Sequence, residues 1–153
     1  MQISNKLGTF GAFSVLIISL VGLAWSETES SYPEVVTNSS DLSYNNAIDN
    51  EEQVQALWSV GGKVREALQH TDVIEFVDDN YTFPQGDHLG GWAQAHWDKS
   101  HRCTKTKITL VYGNSDMLFH ELGHIYEFCV LRRDYKKERS EAFADSFKEM
   151  GTW

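Results

Sequence analysis

The chain has little of several features that would assign it quickly to a class. Its 153 residues include only two cysteines and two prolines, and the 13 lysines and arginines are outnumbered by 22 aspartates and glutamates. The resulting net charge of −9 would repel a phosphate backbone, so we expect no nucleic-acid partner. No internal repeat or long low-complexity tract is present. The length therefore predicts a single domain.

Long apolar runs are also missing, apart from one near the N-terminus. Residues 13–24 (FSVLIISLVGLA) are apolar except for two serines, and a run of about a dozen residues is shorter than the roughly 20 that a membrane span needs. Lys6 precedes this run, and small residues follow it, which is typical of a secretory signal peptide cleaved after about Ser26. We therefore predict a secreted protein with a signal peptide at 1–26 and no stable membrane association after its removal. An uncleaved anchor is the alternative.

The rest of the chain divides into a polar segment and a patterned one. Residues 27–50 are rich in Ser and Asn, and we predict a flexible N-terminal arm there. Residues 51–153 are expected to form one α+β domain. Its predicted elements are a helix at 51–69 that Gly61-Gly62 weakens or divides, strands at 72–77, 92–97 and 105–113, and helices at 116–130 and 138–150.

The two cysteines, Cys103 and Cys129, are predicted to form a disulfide because an exported protein meets an oxidising environment. The bridge would close a loop of about 26 residues and would stabilise the fold by about 3 kcal/mol. Two free, buried thiols are the alternative.

The stretch LFHELGHIYEF, residues 118–128, contains two histidines four residues apart. On a helix such residues share one face, so His120 and His124 can bind one ion. Glu121 lies about 100° further round, which suits a general base rather than a ligand. Two imidazoles with a further carboxylate suit Zn²⁺. A solvated helix face with the same residues is the alternative for this motif alone.

Residues around the motif favour the metal-binding interpretation. Leu118, Leu122, Ile125 and Cys129 can form a buried stripe beside the histidines. Gly123 is unfavourable inside a helix by about 1 kcal/mol relative to Ala. A glycine at this position would admit the close approach of backbone or substrate.

A second acidic pair follows in SEAFADSF, residues 140–147. Glu141 and Asp145 are again four residues apart and share one helix face. Glu141 can be the third zinc ligand, and Asp145 can hydrogen-bond the outer nitrogen of a ligating histidine. Two carboxylates on a solvated face are the alternative.

The pairing of HELGH with a downstream EAFAD resembles the gluzincin metallopeptidases. SEAFADSF is most similar to the ligand helix of the anthrax lethal-factor-like and Pro-Pro-endopeptidase-like group, and the resemblance covers about residues 105–150. It implies a zincin-like α+β fold, in which a short twisted sheet is combined with an active-site helix and a C-terminal ligand helix.

The same resemblance implies the roles of the site residues. His120, His124 and Glu141 would bind zinc, Glu121 would be the general base, and Asp145 would orient a histidine. It also implies a tyrosine upstream of the glutamate ligand whose hydroxyl stabilises the oxyanion. Tyr135 is the best match for this tyrosine, and Tyr126 is its competitor.

The function that follows is a secreted, zinc-dependent endopeptidase that acts on protein or peptide substrates as a monomer. The substrate backbone would align along an edge strand at 92–97 or 105–112. A zinc-binding effector or interaction module without turnover is the alternative, and a metal-free structural domain is a further one. His88, His96 and His101 are weaker candidates for the rim of the cleft, and ordinary surface or core positions are the alternative for them.

Overall fold

The computed structural model describes residues 32–38, 44–84, 90–112 and 115–150. Over these ranges the chain forms a mixed α+β fold with one four-stranded sheet and four α-helices. The elements in chain order are β1 (Glu34–Asn38), α1 (Tyr44–Val60), α2 (Gly62–Gln69), β2 (Val73–Val77), β3 (Gly91–Trp97), β4 (Cys103–Val111), α3 (Ser115–Ile125), a π-helical turn (Tyr126–Val130) and α4 (Lys137–Met150). The predicted signal peptide, 1–26, and His88 lie outside the described residues.

The sheet has the strand order β1-β2-β4-β3. β1, β2 and β4 run parallel, and β3 is antiparallel to β4 and forms one edge. The predicted strands are therefore confirmed, and 92–97 is an edge strand as expected. Residues 105–112 cannot add an extended peptide to the sheet, because β4 is already paired on both sides.

Two adjacent glycines divide the first helical region. Gly61 has φ 80° and Gly62 has φ 55°, which is the left-handed region that residues with a Cβ rarely adopt. α1 therefore ends at Val60 and α2 begins at Gly62. The helix predicted over 51–69 is confirmed as two helices, and the first of them starts earlier than expected.

The prediction of an irregular arm over 27–50 is wrong for the part of it that the structure describes. β1 pairs in parallel with β2 along its whole length, and α1 already begins at Tyr44. Asn50 is buried and donates a hydrogen bond to Oγ1 of Thr37 at 3.3 Å. The polar composition did not predict β1, because a short edge strand is ordered mainly by backbone pairing with its neighbour.

The core is one cluster to which the sheet and all four helices contribute. α3 and α4 also pack closely against each other, and α3 packs against β3 and β4. In the described ranges, none of the helices has the length and apolar character needed to cross a membrane. The side chains buried most completely in the cluster are Val54, Val64, Ala67, Leu68, Ile74, Ile108, Leu110, Leu118, Leu122, Ile125 and Phe147.

α3 ends in a π-helical turn, which the sequence did not predict. The N–H of Leu131 donates to the carbonyl of Tyr126 at 3.0 Å, five residues back. The helix predicted over 116–130 is correct in extent, but its last turn is wider. Cys129 in this turn forms the expected disulfide with Cys103, so the start of β4 is joined to the end of the histidine-bearing segment.

Candidate metal centre

The two histidines of the HELGH motif occupy the second half of α3 and point to one place. Nε2 of His120 lies 3.2 Å from Nε2 of His124. Their side chains are only 18% and 9% exposed, because the apolar stripe of α3 is buried beside them. The i, i+4 spacing therefore brings two ring nitrogens together on one face of α3.

Glu141 reaches the same point from α4. Its Oε2 lies 3.3 Å from Nε2 of His120, and its Oε1 lies 3.7 Å from Nε2 of His124. One ligand atom from each of these three residues lies within 4.8 Å of the other two. The structure therefore brings together the three residues that the sequence proposed as metal ligands.

Close packing of α3 against α4 makes this convergence possible. A Cβ added at Gly123 would lie 2.8 Å from Cα of Ala144 and 2.9 Å from Cβ of Phe147, distances that real Cβ atoms do not show. The sequence indicated that Gly123 admits a close neighbour, and the neighbour is the backbone of α4. A larger residue here would move α4, and with it Glu141, away from the histidines.

The three donors fit a zinc ion in both spacing and chemistry. Their nitrogen and oxygen atoms are separated by 3.2, 3.3 and 3.7 Å, and ligands about 2.0–2.1 Å from a tetrahedral zinc are separated by about 3.3 Å. Two imidazoles and one carboxylate also form a donor set that zinc takes when a fourth position stays open. The same donors could hold a metal ion and still leave it accessible from the cleft.

Each imidazole has a defined environment at its other ring nitrogen. Nδ1 of His120 donates to Oδ1 of Asp145 at 2.9 Å, which leaves the lone pair of Nε2 facing the cluster. Nδ1 of His124 is buried and has no hydrogen-bond partner among the described residues. Burial, and next to it the neighbouring His120, lowers the pKa of His124. This shift favours the neutral imidazole, the form that binds a metal.

Glu121 faces β3 instead of α4. Its side chain is buried, and its carboxylate accepts a hydrogen bond from the backbone N–H of Ala93. Gly91 leaves space for it, since a Cβ there would lie 2.9 Å from both Cγ and Oε1 of Glu121. The sequence did not predict this contact, because it joins two elements that lie about thirty residues apart in the chain.

The pKa of Glu121 is strongly perturbed. Burial, and to a smaller extent the charge of Glu141, raises the pKa of Glu121 to about 8, although the hydrogen bond from Ala93 acts in the opposite direction. A cation held by the nearby donors would lower this pKa, because an opposite charge favours the carboxylate form. The protonation state of Glu121 is thus sensitive to what the cluster binds.

Tyr135 lies at the cluster, and Tyr126 does not. The hydroxyl of Tyr135 donates to Oε1 of Glu141 at 2.8 Å. Burial, followed by this hydrogen bond and the charges of Glu141 and Glu121, raises the pKa of Tyr135. Tyr126 instead stacks on Phe143 and contacts Glu66, so of the two tyrosines only Tyr135 is placed to act at the site.

The cluster opens into a cleft of about 690 Å³ between β3, α3 and the start of α4. Every residue of β3 lines it, so that His96, Trp92 and Trp97 all contribute. Trp97 is 42% exposed and meets Phe128 edge to face, with ring centroids 5.9 Å apart. His101 lies in the turn after β3 and does not line the cleft.

The cleft therefore combines three donor side chains, a buried carboxylate and a phenol hydroxyl. A base and a hydroxyl beside a cation site are the groups that hydrolysis of a carbonyl compound uses. Comparison with protein-family models, with curated proteins and with solved structures finds no match for this chain.

Proposed function

We propose that this chain is a small zincin-like metallopeptidase of the gluzincin type, a zinc-dependent endopeptidase that hydrolyses peptide bonds in proteins. The observation that carries the proposal is the convergence of His120, His124 and Glu141, from two helices, with donor atoms 3.2 to 3.7 Å apart. Glu121, buried in the same cleft, supports hydrolysis over simple metal storage.

The chemistry divides between the ion and the side chains of the chain. Zinc held by the three donors would supply Lewis acidity, which lowers the pKa of water and polarises a carbonyl. The carboxylate of Glu121 takes the proton of the attacking water and then gives it to the leaving amine nitrogen. The hydroxyl of Tyr135 donates a hydrogen bond to the oxyanion that forms from the substrate carbonyl.

The position of β3 supports an extended peptide as the substrate. This strand is paired on only one side among the described residues, and the N–H of Ala93 points to Glu121. A peptide that adds to this edge as a further strand would pass directly in front of the base. The apolar run near the N-terminus and the disulfide support action outside the cell.

A digestion experiment on the mature chain tests this function. We expect a library of unstructured peptides to be cleaved with one zinc per chain and to stay intact after a chelator is added, as read by mass spectrometry. Glu121→Gln should keep its zinc and lose cleavage by at least about a hundredfold. Glu52→Gln, an exposed glutamate on α1, is the matched control and should behave as the unmodified chain.

The alternatives give different results in the same experiment. A non-catalytic zinc-binding module would hold one zinc per chain and cleave nothing, with or without Glu121. A chain that folds fully without zinc and takes up none would contradict the metal site itself. Cleavage that survives removal of zinc would contradict the mechanism.

A further inference from the structure

Positive charge is concentrated in one short segment of this acidic chain. Residues 132–139 (RRDYKKER), here called the basic segment, contain five of the 13 lysines and arginines of the chain, against two acidic residues. The segment thus carries a net charge of +3, whereas the whole chain carries −9. All of its residues are exposed.

The basic segment borders the cleft. It follows the π-helical turn and extends into the first turn of α4, it contains Tyr135, and it ends two residues before Glu141. Lys137 lines the cleft together with Tyr135 and Glu141. A substrate that reaches the donor cluster therefore passes a surface of positive charge.

Most cations of the segment are not engaged in the fold. Arg139 is the exception, since it pairs with Glu127. In the part of the chain that the structure describes, no carboxylate forms an ion pair with the other four cations, which are Arg132, Arg133, Lys136 and Lys137.

Helix stability does not explain this arrangement. Lys136, Lys137 and Arg139 lie at the N-terminal end of α4, where each positive charge opposes the helix dipole by about 0.3–1 kcal/mol. A solvated surface run would account for the cations that face away from the cleft, but not for Lys137, which lines it. The charge is better explained by a ligand of opposite sign.

We propose that the basic segment makes the cleft selective for acidic peptides, with Lys137 contacting an Asp or Glu side chain of the substrate. This rests on the proposed peptidase function and names its substrate class. Cations at the rim of a cleft attract an acidic partner over a Debye length and hold its carboxylates in register. The acidic remainder of the surface would repel the same peptide elsewhere, which directs it to this rim.

Two peptide libraries test the proposal, one rich in Asp and Glu and one in which Asn and Gln replace them. We expect the mature zinc-loaded chain to cleave the acidic library about tenfold faster at low ionic strength, and this preference should fall as salt screens the charges. Lys136→Glu combined with Lys137→Glu should remove the preference for the acidic library. Zinc content should stay unchanged.

Lys63→Glu is the control for charge reversal outside the cleft, because Lys63 lies on α2 and does not line the cleft. It lowers the net charge by two units, half of the four-unit change in the double reversal, and should leave the preference intact. If the double reversal impairs folding, the Lys137→Gln variant replaces it in the test. This variant should lose part of the preference for the acidic library.

The outcomes separate this inference from the function on which it rests. Cleavage of both libraries at equal rates, or a preference that survives the double reversal, overturns the inference and leaves the peptidase function standing. Cleavage of neither library contradicts the peptidase function and removes the inference with it. An equal loss of preference in Lys63→Glu would show that net charge, and not the basic segment, is responsible.

Discussion

The ion pair between Glu127 and Arg139 allows a quantitative test of how the site is held together. Glu127, in the π-helical turn, is fully buried, and Arg139 contacts its Oε1 at 2.9 and 3.0 Å and also donates to the carbonyl of Asp134. Arg139→Ala would leave a carboxylate in the interior without its cation, which destabilises a protein by about 3–5 kcal/mol. Arg139 is 42% exposed, so we expect the lower end, about 3 kcal/mol, measured by urea unfolding.

Glu127→Gln is the control for this prediction. The remaining arginine can turn to water, so the loss should be only about 1 kcal/mol. The double variant should be more stable than Arg139→Ala alone, because no buried charge is left without a partner. If Arg139→Ala is no more destabilising than Glu127→Gln, the reasoning from buried charge is refuted.

Three further substitutions probe the packing around α3. Gly123→Ala should weaken zinc binding in a chelator competition, because the new Cβ would lie 2.8 Å from the backbone of α4; unchanged affinity would contradict the close-packing argument. Gly91→Ala should lower kcat without changing zinc content, because its Cβ would meet Glu121 at 2.9 Å; equal loss of both would point to general unfolding. Replacing Cys103 and Cys129 with serine should lower the free energy of unfolding by about 3 kcal/mol, and a stability equal to that of the oxidised chain would show that the loop-entropy argument does not apply.

The parts of the site that lie within one helix could be predicted from the sequence. A spacing of four residues places two side chains on one helix face whatever the rest of the fold does. This local rule was enough to pair His120 with His124 and to pair Glu141 with Asp145. The strand periods at 72–77 and 105–113 were equally local, and the structure has β2 at Val73–Val77 and β4 at Cys103–Val111.

The parts that depend on contacts between elements could not be predicted in the same way. Nothing in the spacing shows that Gly91 makes room for Glu121, or that Arg139 reaches a buried carboxylate in the preceding turn. β1 was missed for the same reason, because its order comes from pairing with β2. The π-helical turn also has no local signal in its residues, and it depends on how the end of α3 is packed and bridged to β4.

Metal binding and proton transfer use different faces of α3, because residues adjacent in the sequence of a helix point about 100° apart. The histidines face α4, from which Glu141 comes, while Glu121 faces β3, along which a peptide would lie. A glycine allows the close contact on each face of α3. Gly123 packs against α4, and Gly91 packs against the side chain of Glu121. Changes on the α4 side should therefore affect metal binding first, and changes on the β3 side should affect turnover first. A site with this arrangement can lose one property and keep the other, so the two glycine variants together test whether α3 is the shared wall of a metal site and a substrate cleft.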